Sequence, residues 1–124
     1  MVRLLRWGGC ALALAGALTM APAGAGEVSG RAVFERECQA CHSVARGRNH
    51  VGPSLFAVIG RPAGSISSFS YSLALRASGL VWSAVTLDAF LADPQGVVAG
   101  TAMRFPGLGD AAERAAVIAY IASP

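Results

Sequence analysis

The residues of this chain best suited to chemistry are two cysteines two positions apart with a histidine directly behind the second, Cys38-Gln39-Ala40-Cys41-His42. That spacing is the signature of covalent haem attachment. Each thiol adds to one vinyl group of a porphyrin, a helical turn sets the two sulfurs apart, and the next residue, His42, is carried under the ring to coordinate the iron. Three other readings share part of the pattern. A thioredoxin-like redox pair has the same gap but needs a strand leading into a helix within alternating strands and helices. A zinc site needs four ligands, and beyond residue 25 the chain offers two cysteines, His42 and His50. A plain disulfide is the structural alternative.

Haem iron of this kind takes His with Met, or His with His. Beyond residue 25 one methionine and one further histidine remain. Met103 lies 61 residues past His42, far enough for the chain to wrap round and approach from the opposite face. His50 lies only eight past it, just before Gly52-Pro53, and reads as a histidine that hydrogen-bonds a loop. Elimination therefore favours His42 and Met103 as the metal ligands, with bis-histidine ligation as the alternative.

The elements that must position these groups are helical. Ser29 is a candidate N-cap for a helix over Gly30 to Cys41, which brings the cysteines to its C-terminal end. From Ser43 to Ser70, Gly47, Gly52, Pro53, Gly60, Pro62 and Gly64 recur too closely for long regular elements. Ser72 caps a short helix over Leu73 to Ser78 closed by Gly79, and Thr86 caps another over Leu87 to Ala92 that ends at Asp93-Pro94. Asp110 and Glu113 form a capping box for a last helix over Ala111 to Ala122, with Val117, Tyr120 and Ile121 as its buried stripe. No useful alternating strand pattern occurs. The expected fold is all-α, with loops too long for a compact domain unless a cofactor fills its centre.

The chain has 124 residues, 54% of them hydrophobic, the size of one domain. Arg3 and Arg6 precede an uncharged run from Trp7 to Gly26, and Ala23-Gly24-Ala25 fits a small-residue cleavage rule. Residues 1–25 read as a signal peptide and residues 26–124 as the domain, which implies a periplasmic protein with no stable membrane insertion after cleavage. An uncleaved anchor or a lipid-modified Cys10 fits the composition less well. Cleavage before Gly26 lowers the formal charge from +3 to +1, with eight arginines against seven acidic residues and no lysine. That excludes nucleic acid as a natural partner.

The order of these motifs resembles class I cytochrome c of the mitochondrial and bacterial periplasmic type across nearly all of residues 26–124. The match runs through Gly30, Phe34 and Tyr120 where the first and last helices meet, the cysteine motif, His50, Gly52-Pro53, Gly60-Arg61, Phe69-Ser70-Tyr71, Trp82, Pro94 and Gly100 to Phe105. The resemblance implies one haem c bound through Cys38 and Cys41, with its iron held by His42 and Met103. It also implies that the Pro53 carbonyl accepts the second ring N–H of the ligand histidine, that Arg61, Tyr71 and Trp82 lie at the haem propionates, and that Thr101 closes that side. It implies a monomeric carrier of single electrons between membrane or periplasmic oxidoreductases, not an enzyme. The alternatives are a dedicated cytochrome subunit of one oxidoreductase, and a ligand-binding or peroxidase-like haem protein.

Two departures from the family stand out. Phe90 and Leu75 occupy positions where relatives often place a tyrosine and an asparagine near the methionine ligand. Glu37, Gln95, Gly96 and Ala102 occupy positions where relatives often carry docking lysines, so docking is expected to rely more on apolar contact and less on charge steering.

Overall fold

The computed structural model describes residues 26–124, so the expected signal peptide lies outside the described residues. Among the described residues five helices follow one another: α1 Gly30–Glu37, α2 Leu73–Arg76, α3 Ala84–Ala92, α4 Pro94–Val97 and α5 Ala111–Ala122. Each begins at a residue whose side chain takes up a backbone N–H that the first turn leaves without a partner. Ser29 accepts from Ala32 N, Ser72 from Leu75 N, Ser83 from Thr86 N, Asp93 from Gly96 N and Asp110 from Glu113 N.

Several boundaries differ from expectation. Regular α1 stops at Glu37, and Cys38 to Cys41 form turns closed by Cys41 N to Cys38 O at 3.0 Å and His42 N to Cys38 O at 2.9 Å. The cap of α3 is Ser83, and Thr86 is its reciprocal partner in a capping box, returning a hydroxyl to Ser83 N at 2.8 Å. The chain does not stay irregular after Asp93-Pro94. Asp93 caps α4 and Pro94 sits in its first turn, where a missing N–H costs nothing. At α5, Asp110 caps as expected, but the Glu113 carboxylate reaches Arg36.

Helices of 8 and 12 residues are too short to persist alone in water, so packing must hold α1 and α5. They cross where Gly30 has no side chain: a Cβ there would stand 2.0 Å from the Ala116 carbonyl oxygen. Phe34 meets Tyr120 beside that crossing, ring centroids 5.5 Å apart. Val33 and Phe34 of α1, Leu87 and Phe90 of α3, and Val117, Ile118 and Ile121 of α5 form one buried cluster with Val58, Trp82, Val98 and Leu108 from the loops. Ile118 thus takes the buried place expected of Tyr120, which is half-buried at the edge of the cluster. Arg114 fastens α5 to α3 through Asp88 at 2.8 Å and to the preceding loop through the carbonyls of Leu108 and Gly109 at 2.8 and 3.0 Å.

The long loops are held by hydrogen bonds. A single antiparallel bridge joins Pro62 to Val81, flanked by Ala63 N to Leu80 O at 2.8 Å and Trp82 N to Arg61 O at 2.9 Å. The described residues contain no strand longer than this bridge, in keeping with the expected all-α class. None of the described helices is long and apolar enough to cross a membrane.

Candidate functional site

The turn after α1 places His42 against the strap Val51 to Ser54. His42 Nδ1 lies 2.7 Å from the Pro53 carbonyl oxygen. A carbonyl only accepts, so Nδ1 carries the proton and Nε2 keeps a lone pair. Burial pulls the His42 imidazole below its ordinary value, against the opposing effect of the Pro53 hydrogen bond, and His50 nearby pulls the same way as burial. The ring is therefore the neutral ligand form near pH 7. Gly52 makes the approach possible: a Cβ there would stand 2.3 Å from His42 Cε1 and 2.7 Å from each ring nitrogen.

Cys38 and Cys41 are unpaired and half-buried, so the structure does not join them in a disulfide. Burial first, then Glu37 and Cys41, push the Cys38 thiol up to about 11. It is protonated at neutral pH and retains the hydrogen that addition across a vinyl group requires. Among the described residues no three His, Cys, Asp or Glu side chains gather into a set for a bare metal ion.

Met103 is half-buried against the same apolar cluster as Cys38, Leu75 and Trp82. Its backbone N–H lies 3.4 Å from Thr101 Oγ1, and Thr101 is itself buried. Gln95 clamps the segment before it, accepting from Gly100 N at 3.0 Å and donating to the Thr101 carbonyl at 2.9 Å. Gln95, noted in the sequence only as a position without a lysine, thus has a local task that its residue type did not announce. Phe90 is buried against Trp82, ring centroids 5.1 Å apart, and Leu75 and Met103 both pack, partly buried, against the apolar cluster that contains both rings.

Arg61 donates to the carbonyls of Ser54, at 2.8 Å, and Phe56. Burial lowers its guanidinium from the ordinary value while Tyr71 beside it acts in the opposite sense. Tyr71 in turn stands edge-on to Phe69, centroids 4.9 Å apart. His50 departs from expectation. Its ring is exposed and makes no hydrogen bond among the described residues, and the loop-bridging role belongs to Asn49. Asn49 accepts from Ser54 N at 2.9 Å and donates to Ser68 O and Oγ at 3.3 and 3.1 Å. No spacing rule singled out Asn49, because a lone asparagine among turn residues is ordinary.

Two thiols on adjoining turns, a neutral imidazole with Nε2 unprotonated, a thioether and a glycine cradle make a donor set that suits a covalently bound haem. The family model described as cytochrome c matches residues 28–124. The chain is 52% identical to cytochrome c2 iso-2 of Magnetospirillum fulvum over 69% of this chain and 90% of that protein. It is 43% identical to cytochrome c2 of Rhodopila globiformis, covering 76% and 89% of the two chains. Among solved structures, cytochrome cH from Methylobacterium extorquens superposes with a TM-score of 0.71 at 40% identity, over 77% of this chain and 95% of that one. A chain that pairs these thiols with an imidazole held for metal, and that matches relatives over nearly their whole length, belongs to the cytochrome c family and carries electrons on a haem c joined to Cys38 and Cys41.

Proposed function

We propose that this cytochrome c is a monomeric, freely diffusing periplasmic carrier, exported behind residues 1–25, that closes its iron with His42 and Met103 and passes single electrons between oxidoreductases. The observation that carries the reading is the hydrogen bond from His42 Nδ1 to the Pro53 carbonyl above Gly52, which orients Nε2 for a metal. The bound haem supplies one iron that gains or loses a single electron. The chain's own residues hold that centre nearly unchanged between the two states. Pro53 fixes the imidazole, Gln95 and Thr101 fix the segment that presents Met103, and Met103 packs against the cluster in which Trp82 and Phe90 meet. Arg61, Tyr71 and Trp82 are assigned to the propionate side, supported by the partly buried cation of Arg61 and the neighbouring Tyr71.

The sites that would carry docking lysines are quiet. Glu37 is paired with Arg36 at 2.7 Å, and Gln95, Gly96 and Ala102 are exposed and uncharged. Val51, the first residue of the His42 strap, is 79% exposed and adds apolar surface. Docking on this face therefore favours shape and apolar contact over long-range steering.

The test is the optical spectrum of the oxidised, haem-loaded protein, together with the intact mass of the exported chain. A weak far-red band from sulfur-to-iron charge transfer is expected, and Met103→Ala should abolish it. The mass should match residues 26–124 plus one haem. A wild-type spectrum without the band, or carbon monoxide binding readily to the ferrous wild type, would replace the six-coordinate carrier with a ligand-binding haem protein.

A further inference from the structure

The strap that holds His42 is itself held through the same peptide group. The Pro53–Ser54 peptide offers its carbonyl to His42 Nδ1 at 2.7 Å and its N–H to Asn49 Oδ1 at 2.9 Å. Asn49 is the outer end of a continuous chain: Asn49 side-chain carbonyl, Ser54 N–H, Pro53 carbonyl, His42 ring. Its orientation is not arbitrary. The Ser68 carbonyl can only accept, so the Asn49 amide nitrogen must face it, and the amide oxygen must face the Ser54 N–H, which can only donate.

A peptide group is conjugated, so a hydrogen bond at its N–H draws electron density toward its oxygen and strengthens that oxygen as an acceptor. A stronger acceptor pulls harder on the Nδ1 proton and makes the imidazole a better electron donor at Nε2. We propose that Asn49 is a positioning residue for His42 that tunes the iron through the Pro53–Ser54 peptide, holding the reduction potential below the value the ligand set alone would give. The inference rests on His42 as iron ligand. The rest of the strap is built to keep this peptide in place. Ser54 is buried, its hydroxyl donates to Ala45 O at 2.6 Å, and its carbonyl accepts from Arg61 at 2.8 Å. The peptide thus has little freedom except through its bond to Asn49.

Replacing Asn49 with leucine removes the acceptor while keeping the side-chain size. The ferrous form should gain roughly 1.5- to 3-fold over the ferric, as expected if one bond in a chain strengthens the next by about 10–30%. The potential rises, and the His42 Nδ1–H resonance of the reduced protein moves upfield. Simple loosening of the loop predicts the opposite sign, because water reaching the centre favours the more highly charged ferric form. Ser68→Ala controls for anchoring: it removes the Oγ contact, keeps the bond from Ser54 N to Asn49 Oδ1, and should leave the potential unchanged. A potential that stays put or falls in Asn49→Leu, or that rises equally in Ser68→Ala, overturns the proposal. If Asn49→Leu does not fold, hydrogen exchange on the wild-type holoprotein decides. The Ser54 amide is expected to be strongly protected, and a fast-exchanging one refutes the relay. Large ring-current shifts of the His42 ring protons in the reduced protein report separately whether that ring is on the iron. Failure of the relay is thereby distinguishable from failure of the ligand assignment.

Discussion

Gly52→Ala is the most direct challenge to the geometry of the site. The added Cβ would stand 2.3 Å from His42 Cε1, where carbon atoms in good contact lie about 3.5–4.0 Å apart. The obstacle is a ring pinned at one nitrogen by the Pro53 carbonyl, not the free end of a flexible chain. Relief requires a relative shift of roughly 1 Å, which carries the 2.7 Å hydrogen bond past the ~3.2 Å limit of a normal one. Overpacking costs about 1–3 kcal/mol and the lost hydrogen bond about 0.5–1.5 kcal/mol, together about 2–4 kcal/mol. At roughly 4–8 °C per kcal/mol for a domain of this size, the melting temperature should fall by about 10–30 °C. The assay is thermal unfolding of the haem-loaded protein by circular dichroism, with its optical spectrum recorded alongside. Gly109→Ala is the control: nothing lies within 4 Å of its Cβ, and it should be neutral or stabilising by up to about 1 kcal/mol. A Gly52→Ala protein that melts with the wild type and keeps its spectrum would refute the claim that this glycine is required by the ligand ring.

Gly30→Ala should cost about 3 kcal/mol in denaturant unfolding, because the new Cβ meets the backbone carbonyl of Ala116 at 2.0 Å and α1 must back away from α5. Ala57→Gly should raise the urea midpoint with an unchanged m-value. Ala57 holds φ 52°, where an L-residue is disfavoured by about 1–2 kcal/mol, and the greater freedom of glycine in the unfolded chain cancels about half of that, leaving a gain of about 0.5–1 kcal/mol. Alkaline titration of the ferric protein, with its N-terminal amine acetylated, should yield no amine-ligated iron in electron paramagnetic resonance spectra, since the chain contains no lysine to supply the ligand.

The parts of the site most legible in the sequence were those in which residue type and local spacing both carry information. Cys38, Cys41 and His42 occupy a fixed interval, and Met103 stood out because it was the only soft ligand left beyond residue 25. Helix existence was legible for the same reason: Ser29, Ser72 and Asp110 are capping residues followed by helix-compatible runs, and each caps where expected. The boundaries that moved turned on competition between neighbouring groups. Ser83 and Thr86 are both capable caps three residues apart, and the structure uses both, one on each side of the box. Glu113 was positioned to reach back to its own helix start, but Arg36, 77 residues earlier, offered a charged partner at 2.7 Å. Long-range contacts of that kind leave no trace in local spacing. Asn49 and His50 show the same limit at the site, where which of two adjacent polar residues turns inward depends on Ser68, brought near only by the folded loop.

The charges also divide in a way that a net value of +1 beyond residue 25 conceals. No aspartate or glutamate occurs from Cys38 through Leu87, a stretch that holds Arg46, Arg48, Arg61 and Arg76 as well as His42 and its strap. Six of the seven carboxylates outside it serve the helices. Glu35 pairs with Arg31, Glu37 and Glu113 with Arg36, and Asp88 with Arg114, while Asp93 and Asp110 cap α4 and α5. A carboxylate roughly 10 Å from the iron, at an effective dielectric of about 20, would favour the ferric state by roughly 1–2 kcal/mol, or about 40–80 mV for one electron. The exposed ion pairs that replace such a carboxylate elsewhere are each worth no more than about 1 kcal/mol to stability. The carboxylate of an exposed ion pair, such as Glu35 with Arg31, would therefore do more to the iron if moved into the loops than its removal does to the fold. That imbalance gives a physical reason for the helical framework to carry the acidic residues while the ligand-bearing loops are held by neutral hydrogen bonds and arginine.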